Sequence, residues 1–383
     1  MRATFFCLAR VHRNANSDIP LKEVRVAIIG SPNVGKSSLT NKLIRNDVCA
    51  VSKVIDTTRQ NWVTKLKEDR VMLTVVDSPG VVGITHAKNV INTHSESKIM
   101  VDPEKAFRSA AQVLVVHDVT APGKYIHHRV LHLLHRNSHI PSSLVLNKID
   151  LTPQKSKLLE LANVLTCGYV GGQPIQQNKV RMGGLQKIVD KQNTFAINPL
   201  ANFMDGKSEE WEEEYNRVIN KATHKCSWNE TKKVFQSEYG WPHFQNIFFV
   251  SCNNGEGIDH VRNFLKNCAE HSESNIINSE VSPFRQRPNV IVGEHIRAAF
   301  LNSVPADIAY KLKVIVVDFE NLGEEINVTA DVICEKHRWA KLVNVVVDKQ
   351  RRSLEENFSR LFQTQVHLRI HLKYQGKLVA PQE

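Results

Sequence analysis

Between Val24 and Cys252 the chain repeats one pattern: a short apolar run with few polar interruptions, then a stretch of helical spacing. The runs are VRVAIIG (24–30), VMLTVVD (71–77), VLVVHD (113–118), SLVLNKID (143–150) and NIFFVSC (246–252). None alternates apolar with polar, so each reads as a strand covered on both faces, the usual condition in a parallel sheet. KSSLTNKLIR (36–45) places its apolar residues at helical intervals. Another helix is expected to open at Asp102-Pro103, the aspartate capping it and the proline lying in the first turn, where an N–H is not needed. Strands alternating with helices predict an α/β domain with a mostly parallel sheet and helices on both faces.

The rhythm stops between about Thr166 and Gly240. GYVGGQPIQQNKVRMGG (168–184) is rich in glycine and glutamine, and EEWEEEYNRVINKATHK (209–225) reads as an acidic helix. Residues 166–240 are therefore expected to form an insertion at the sheet's edge, part of it flexible. The polar stretch EHSESNIINSEVSPFRQRP (270–288) ends in prolines and reads as a linker. After it come a helical stretch around EHIRAAFLN (294–302), the strand-like KLKVIVVDF (311–319) and INVTADVIC (326–334), a basic segment with a helix, and a last strand VHLRIHLK (366–373). The expected organisation is a leader at 1–20, a first domain at 21–275 holding the insertion, and linker plus small α+β domain at 276–383.

Composition narrows the partners. The 383 residues are 42% hydrophobic, enough for real cores, and carry 50 Lys and Arg against 39 Asp and Glu, a formal charge of +11. That excess suits a polyanion, nucleic acid before a membrane surface. The seven cysteines are scattered without a Cys-x-x-Cys pair, against both a zinc module and a disulfide framework and for a reducing compartment. MRATFFCLARVHRNANSDIP (1–20) holds Arg2, Arg10 and Arg13 with no acid before Asp18, the composition of an organellar presequence or of a disordered tail.

The chemistry sits at the front. GSPNVGKSS, comprising Gly30, Ser31, Pro32, Asn33, Val34, Gly35, Lys36, Ser37 and Ser38, follows a strand and opens a helix. Gly30 and Gly35 let the backbone curl so that N–H groups face phosphates, and the helix N-terminus adds positive potential. Lys36 is placed to reach the β- and γ-phosphates and the Ser37 hydroxyl to ligate Mg²⁺. Asp77, Ser78, Pro79 and Gly80 end the next strand, where a carboxylate can hold Mg²⁺ through water and Gly80 can offer its N–H to a γ-phosphate. Asn147, Lys148, Ile149 and Asp150 end another, and Asp150 can accept hydrogen bonds from N1–H and the exocyclic amine of guanine. Adenine lacks those donors, so the nucleotide is expected to be GTP. Ser251, Cys252 and Asn253 follow the last strand and can back the base.

The order GSPNVGKSS, DTTR (56–59), DSPG, NKID and SCNNGEG resembles the Era GTPases, and the leader is similar to that of their animal mitochondrial branch. SPFRQRPNVIVGEHIRAAFLNSVP (282–305) resembles the segment leading into the family's RNA-binding KH domain. The resemblance covers most of residues 24–373 outside the insertion, which bacterial members lack. It implies Thr58 as a switch-I Mg²⁺ ligand, with Thr57 the weaker candidate. It also places Asn33 where potassium-activated relatives seat K⁺, so Asn33, Lys36, Thr58 and Gly80 are the candidate catalytic residues and Ser37, Thr58 and Asp77 the metal ligands. Val81 stands where Ras-like GTPases carry the glutamine that orients water, which an apolar side chain cannot do, so slow intrinsic turnover is expected.

The family's KH domain grips single-stranded RNA with a Gly-x-x-Gly turn. In VVVDKQRRSLEEN (345–357) those four places fall on Asp348, Lys349, Gln350 and Arg351, with both glycines gone. Two readings stand: Lys349, Arg351 and Arg352 replace the clamp electrostatically, or the domain is a protein-docking module and RNA moves to positions such as Arg285, Arg287, Lys336, Arg338 or Lys341. HHRVLHLLHRNSH (127–139) spaces His128, His132, His135 and His139 along one helical face, suited to a zinc pair, but a solvated face is the expectation because no carboxylate or cysteine converges in sequence.

Taken together, the chain reads as a monomeric GTPase switch followed by a KH-like domain. The resemblance implies partners in small-subunit ribosomal RNA and the assembling small ribosomal subunit, not DNA or a membrane, in the mitochondrial matrix ahead of the cytoplasm. The alternative is an RNA- or protein-binding scaffold that holds GTP with little hydrolysis.

Overall fold

The computed structural model describes residues 21–52, 58, 60–81, 96–175, 207–272, 275–276 and 286–379. The leader, Asp56, Thr57 and Arg59 of switch I, Arg285 and the middle of the insertion lie outside the described residues. The chain divides into two units, one of Leu21–Ile44 with Thr58–Ile276 and the other holding Arg45–Thr57 and Ile277–Glu383.

The first unit is built on strands β1 (Leu21–Ile29), β2 (Trp62–Glu68), β3 (Val71–Asp77), β4 (Gln112–Asp118), β5 (Ser142–Asn147) and β8 (Phe244–Phe249), in the order β2-β3-β1-β4-β5-β8. β2 pairs antiparallel with β3, and the remaining neighbours along this path are parallel. Every residue of β3 is buried, as its unbroken apolar run requires. Helices α1 (Lys36–Ile44), α2 (Glu96–Arg108), α3 (His128–Arg136), α4 (Lys155–Leu165) and α7 (Ile258–Glu270) connect the strands. Because β1 lies between β3 and β4, the order reverses there, and the carboxyl end of β1 is a switch point where such sheets bind ligands.

Three expectations are corrected here. α2 begins at Glu96, so Pro103 lies inside the helix and Asp102 is no cap: its carboxylate accepts from the Asn61 N–H at 3.0 Å. The polar stretch after α7 is not all linker, since β9 (Asn275–Ile276) pairs antiparallel with Leu21 and Lys22 of β1. β4 pairs with β1 only from Val26 onward, which leaves that end of β1 open to a partner. The histidine face of α3 is largely covered: His132 and His135 are buried and His128 half-buried, while His139 lies past the helix end and is exposed. Within the insertion, α5 (Glu209–Asn220) and α6 (Trp228–Phe235) pack on α3, after the short hairpin β6 (Tyr169–Val170) and β7 (Gln173–Pro174).

That packing is polar as well as apolar. Buried Arg129 donates to the carbonyls of Thr223 and Cys226 at 3.1 and 2.7 Å, and Arg136 to those of Ile219 and Lys221 at 2.5 and 2.9 Å. His132, fully buried, meets Thr223 Oγ1 at 2.8 Å and the Val218 carbonyl at 2.9 Å, while His135 meets the Tyr215 hydroxyl at 3.1 Å. Val218, Val234, Phe235 and Trp241 join the main core. The insertion is thus bolted to the main sheet through α3, and among the described residues no cluster of histidine, cysteine and carboxylate could hold a metal.

Burial pushes His132 down to about 4 and His135 to about 3, from an ordinary 6.5. The folded state therefore binds fewer protons than the unfolded chain between those values, and stability falls as pH drops through that window. For His132 alone the full loss is about 3 kcal/mol. Urea unfolding at pH 7 and pH 4.5 is expected to show this, with a shallower pH dependence in a His132→Gln variant.

In the second unit, β10 (Lys313–Asn321), β11 (Glu325–Cys334), β12 (Gln365–Tyr374) and β13 (Lys377–Leu378) form one sheet in sequence order. β10 runs antiparallel and β12 parallel to β11. Helices α8 (Pro288–Leu301), the short α9 (Ala306–Ala309) and α10 (His337–Phe362) accompany it. α10 corrects the basic turn: 26 residues form one helix straight through Asp348, Lys349, Gln350 and Arg351. No glycine or proline interrupts 337–362, and Trp339, Ala340, Val343, Val347, Leu354, Phe358 and Leu361 recur at helical spacing on its buried side. Two ion pairs along the helix reinforce it, Arg351 to Asp348 at 3.8 Å and Arg351 to Glu355 at 3.0 Å.

Candidate functional site

The parallel arrangement brings the loops after β1, β3, β4, β5 and β8 to one edge of the sheet. The loop after β1 is cramped by design of its neighbours. A Cβ on Gly30 would lie 2.4 Å from the Val116 carbonyl oxygen, and one on Gly35, whose φ is +95°, would lie 2.2 Å from Asn147 Nδ2. The DSPG loop is equally close: a Cβ on Gly80 would meet Pro32 at 2.8 Å. These three glycines are needed for close approach of backbones, and Asn33 adopts φ 61° at the exposed tip.

Lys36 opens α1 and is held against the loop, its Nζ donating to the carbonyls of Gly30 and Ser31 at 3.2 and 2.7 Å. Ser37 Oγ donates to Asp77 Oδ2 at 2.6 Å and lies 3.0 Å from Thr58 Oγ1. The three residues expected to serve Mg²⁺ thus converge although they come from α1, β3 and the segment before β2. Two hydroxyls and a buried carboxylate are the hard oxygen donors that Mg²⁺ prefers, with one carboxylate leaving room for water and phosphate. The donor set fits that ion.

The base side is stitched through Asn147. Its Nδ2 donates to the Val34 carbonyl at 2.8 Å and its Oδ1 accepts from the Cys252 N–H at 3.1 Å, tying the loop after β1 to the loop after β8. Lys148 takes the left-handed conformation, φ 67°, and its Nζ pairs with Asp118 Oδ2 at 2.6 Å. Burial alone would raise the Asp118 pKa, but hydrogen bonds from Lys148 and Thr120 outweigh it and hold the carboxyl below its ordinary range. Asp150 is exposed, with Asn253 Nδ2 donating to its Oδ2 at 3.3 Å. Ser251 is buried, and burial pushes the Cys252 thiol up to about 12 and keeps it inert. An Asn147→Ala variant loses both bridges, and its unfolding free energy is expected to fall by about 2–3 kcal/mol, read by urea denaturation.

Sequence reasoning missed Asp118, although it closes the apolar run VLVVHD at the strand end where the other site residues lie. Val81, the residue after DSPG, has its side chain buried in the core, and its N–H donates to the Gly30 carbonyl of the loop after β1 at 3.1 Å. In the second unit Arg351 is engaged by Glu355, whereas Lys349 and Arg352 are exposed on α10.

A family model described as a 50S ribosome-binding GTPase matches residues 25–148. The mitochondrial GTPase Era of Caenorhabditis elegans is 37% identical over 368 residues, covering 94% of this chain and 91% of that protein. The chain belongs to the Era GTPase family. The mitochondrial Era of Salmo salar is 28% identical, over 92% of this chain and 76% of its own length. The crystal structure of Era in complex with MgGDPNP and nucleotides 1506–1542 of 16S ribosomal RNA matches with a TM-score of 0.61 at 14% identity, covering 92% of this chain and 94% of that one. An Aquifex aeolicus Era variant bound to GDP.AlF4⁻ matches with the same TM-score and coverage, so the fold is that of Era across both units. As an Era GTPase the chain hydrolyses GTP to GDP and phosphate. Among the described residues no helix is long and apolar enough to cross a membrane.

Proposed function

We propose that this Era GTPase is a nucleotide-controlled switch that binds small-subunit ribosomal RNA and assists assembly of the mitochondrial small ribosomal subunit. The carrying observation is the joining of two parts in one chain. A guanine-reading and phosphate-binding edge lies in the first unit. The second unit has the fold of an Era protein whose crystal structure contains a 16S ribosomal RNA segment. The mitochondrial names of its relatives and the arginine-rich, acid-poor residues 1–20 support a place in the mitochondrial matrix.

In this reading Asp150 accepts the two guanine donors, Asn253 orients that carboxylate, and Lys36 with the backbone of residues 30–38 holds the phosphates. Ser37, Thr58 and Asp77 would hold Mg²⁺, which when bound neutralises phosphate charge. Gly80 presents its N–H toward the γ-phosphate, so the DSPG loop registers whether that phosphate is there. Asn33, exposed at φ 61°, is the candidate seat for K⁺. Val81 leaves no side chain to orient water, so intrinsic turnover is slow and a cation or partner raises it. Single-turnover hydrolysis is expected to run at least tenfold faster in K⁺ than in Na⁺; equal rates in the two salts remove K⁺ from the mechanism.

The test of the whole reading is crosslinking and sequencing of RNA bound to the protein in its own cells. One dominant site in mitochondrial small-subunit rRNA supports it. Scattered or absent crosslinks overturn it and leave a GTPase acting on other partners.

A further inference from the structure

At the edge of the main sheet opposite the nucleotide loops, the first unit forms an open cavity of about 430 Å³. Its walls come from three helix ends. Arg108 closes α2 just before β4, and Arg136 closes α3, with His139 and Ile140 leading into β5. Ile219 and Asn220 close α5, so the insertion supplies the third wall. Among the described residues the lining holds two guanidinium groups and an imidazole but no carboxylate.

A cation in a last turn steadies its own helix, but that does not require several to converge on one space. Arg136 is held in place. Its Nε donates to Glu104 Oε1 at 3.2 Å and its Nη1 to the Ile219 and Lys221 carbonyls, which leaves Nη2 for a ligand. Glu104 does not cancel the site's charge alone, since its Oε2 is taken by the Thr223 N–H at 2.9 Å. Arg108 and His139 are exposed at the mouth. The helix-end carbonyls that would repel an anion are already occupied. Asn137 Nδ2 donates to that of Leu133 and Asn220 Nδ2 to that of Asn216, both at 2.9 Å. Three converging donor groups suit the three oxygens of a phosphate better than the two of a carboxylate. Ile140 and Ile219, half-buried beside them, offer an apolar wall to whatever carries the phosphate.

We infer that this cavity binds a small phosphate ester, its phosphate held by Arg108, Arg136 and His139 and its apolar body lying on Ile140 and Ile219. The site is distinct from the GTP site, because the phosphate loop follows the carboxyl end of β1 and this cavity lies where β4 and β5 begin. The two are joined through α2. Its Asp102 carboxylate accepts from the Asn61 N–H at 3.0 Å and its Asp102 carbonyl from Asn61 Nδ2 at 2.8 Å, close behind Thr58 in the chain. An ester bridging Arg108 and Arg136 ties α2 to α3 and to the insertion.

The experiment titrates phenyl phosphate and inorganic phosphate into the full-length protein by calorimetry. The nucleotide site is first filled with MgGDPNP, so that the phosphate loop cannot compete. Phenyl phosphate is expected to bind once per chain and about tenfold more tightly than inorganic phosphate, because its ring covers apolar surface. Arg108→Ala and R108A/H139A are each expected to weaken it at least about tenfold, the scale of one charge-assisted hydrogen bond. Lys157→Ala, exposed on α4, is the control and should match the parent. Unfolding midpoint and GTP hydrolysis without ester confirm that each variant is folded. Absence of saturable binding to the parent overturns the site. Undiminished binding in both Arg108 variants also overturns it, by placing the ester elsewhere. Equal affinity for the two probes overturns the ester assignment and leaves a site for inorganic phosphate only.

Discussion

Asp150→Asn is expected to lower affinity for GTP about a thousandfold and to raise affinity for xanthosine triphosphate. The carboxylate only accepts hydrogen bonds, and guanine offers it two donors, N1–H and the exocyclic amine. Asparagine replaces one acceptor with an NH₂, so one hydrogen bond is lost and two donors face each other. Charge-assisted bonds of this kind contribute about 1.5–3 kcal/mol each. Losing one such bond and setting two donors against each other is therefore worth about 4 kcal/mol, which is three decades of affinity. Xanthine carries a carbonyl where guanine carries the amine, and the asparagine NH₂ can donate to it. The structure supports a direct reading of the base at this position, because Asp150 is exposed and its Oδ2 is oriented by Asn253 at 3.3 Å. Fluorescence titration with GTP, ATP and xanthosine triphosphate decides the matter. Unchanged GTP affinity in the variant would mean that another group reads the base.

The GTPase edge was legible because its residues are bound to local features. Gly30, Asp77, Asn147 and Ser251 each follow an apolar run, and parallel strands deliver the ends of such runs to one edge whatever lies between them. What could not be read were relations across the chain. The α3 histidines have helical spacing whether water or another helix covers them. Only the fold brings Val218, Thr223 and Tyr215 onto that face, through an insertion that has no repeating pattern of its own. Asn147 looks like part of a guanine motif, yet it also bridges Val34 and Cys252, which are distant from it in sequence. In α10 the run Val345, Val346 and Val347 favours a strand by local propensity, but tertiary context overrides it. Val343, Val347 and Leu354 are buried at helical intervals, and the helix continues where the family places a turn.

Thr58→Ala is expected to slow single-turnover GTP hydrolysis in Mg²⁺ by about a hundredfold, the scale seen when one preorganised stabilising group is removed, while Thr57→Ala remains near the parent. The two threonines are adjacent, and sequence alone separates them weakly. Thr58 itself is in the site, its Oγ1 lying 3.0 Å from Ser37 Oγ, which in turn donates to Asp77. Removing a hydroxyl from this cluster takes one hard oxygen from the Mg²⁺ site and leaves the phosphate loop and Asp150 intact. GTP affinity should then change less than the rate, which distinguishes a lost ligand from a lost fold. The position of Thr58 in the chain adds a second consequence. Upstream, Val48 and Cys49 are buried, the Val48 carbonyl lies 3.0 Å from His295 Nε2, and Ser52 Oγ donates to Asn302 Oδ1 at 3.0 Å. His295 and Asn302 belong to α8 and its C-cap, in the second unit. Ser52, held by α8, and Thr58, the proposed Mg²⁺ ligand, are six residues apart in the chain. We expect a nucleotide-dependent shift of Thr58 to be felt through so short a stretch of chain. Hydrolysis by Thr58→Ala should accordingly respond less to added rRNA fragment than the parent's does. A full RNA response in that variant would show that the RNA acts on the nucleotide by another route.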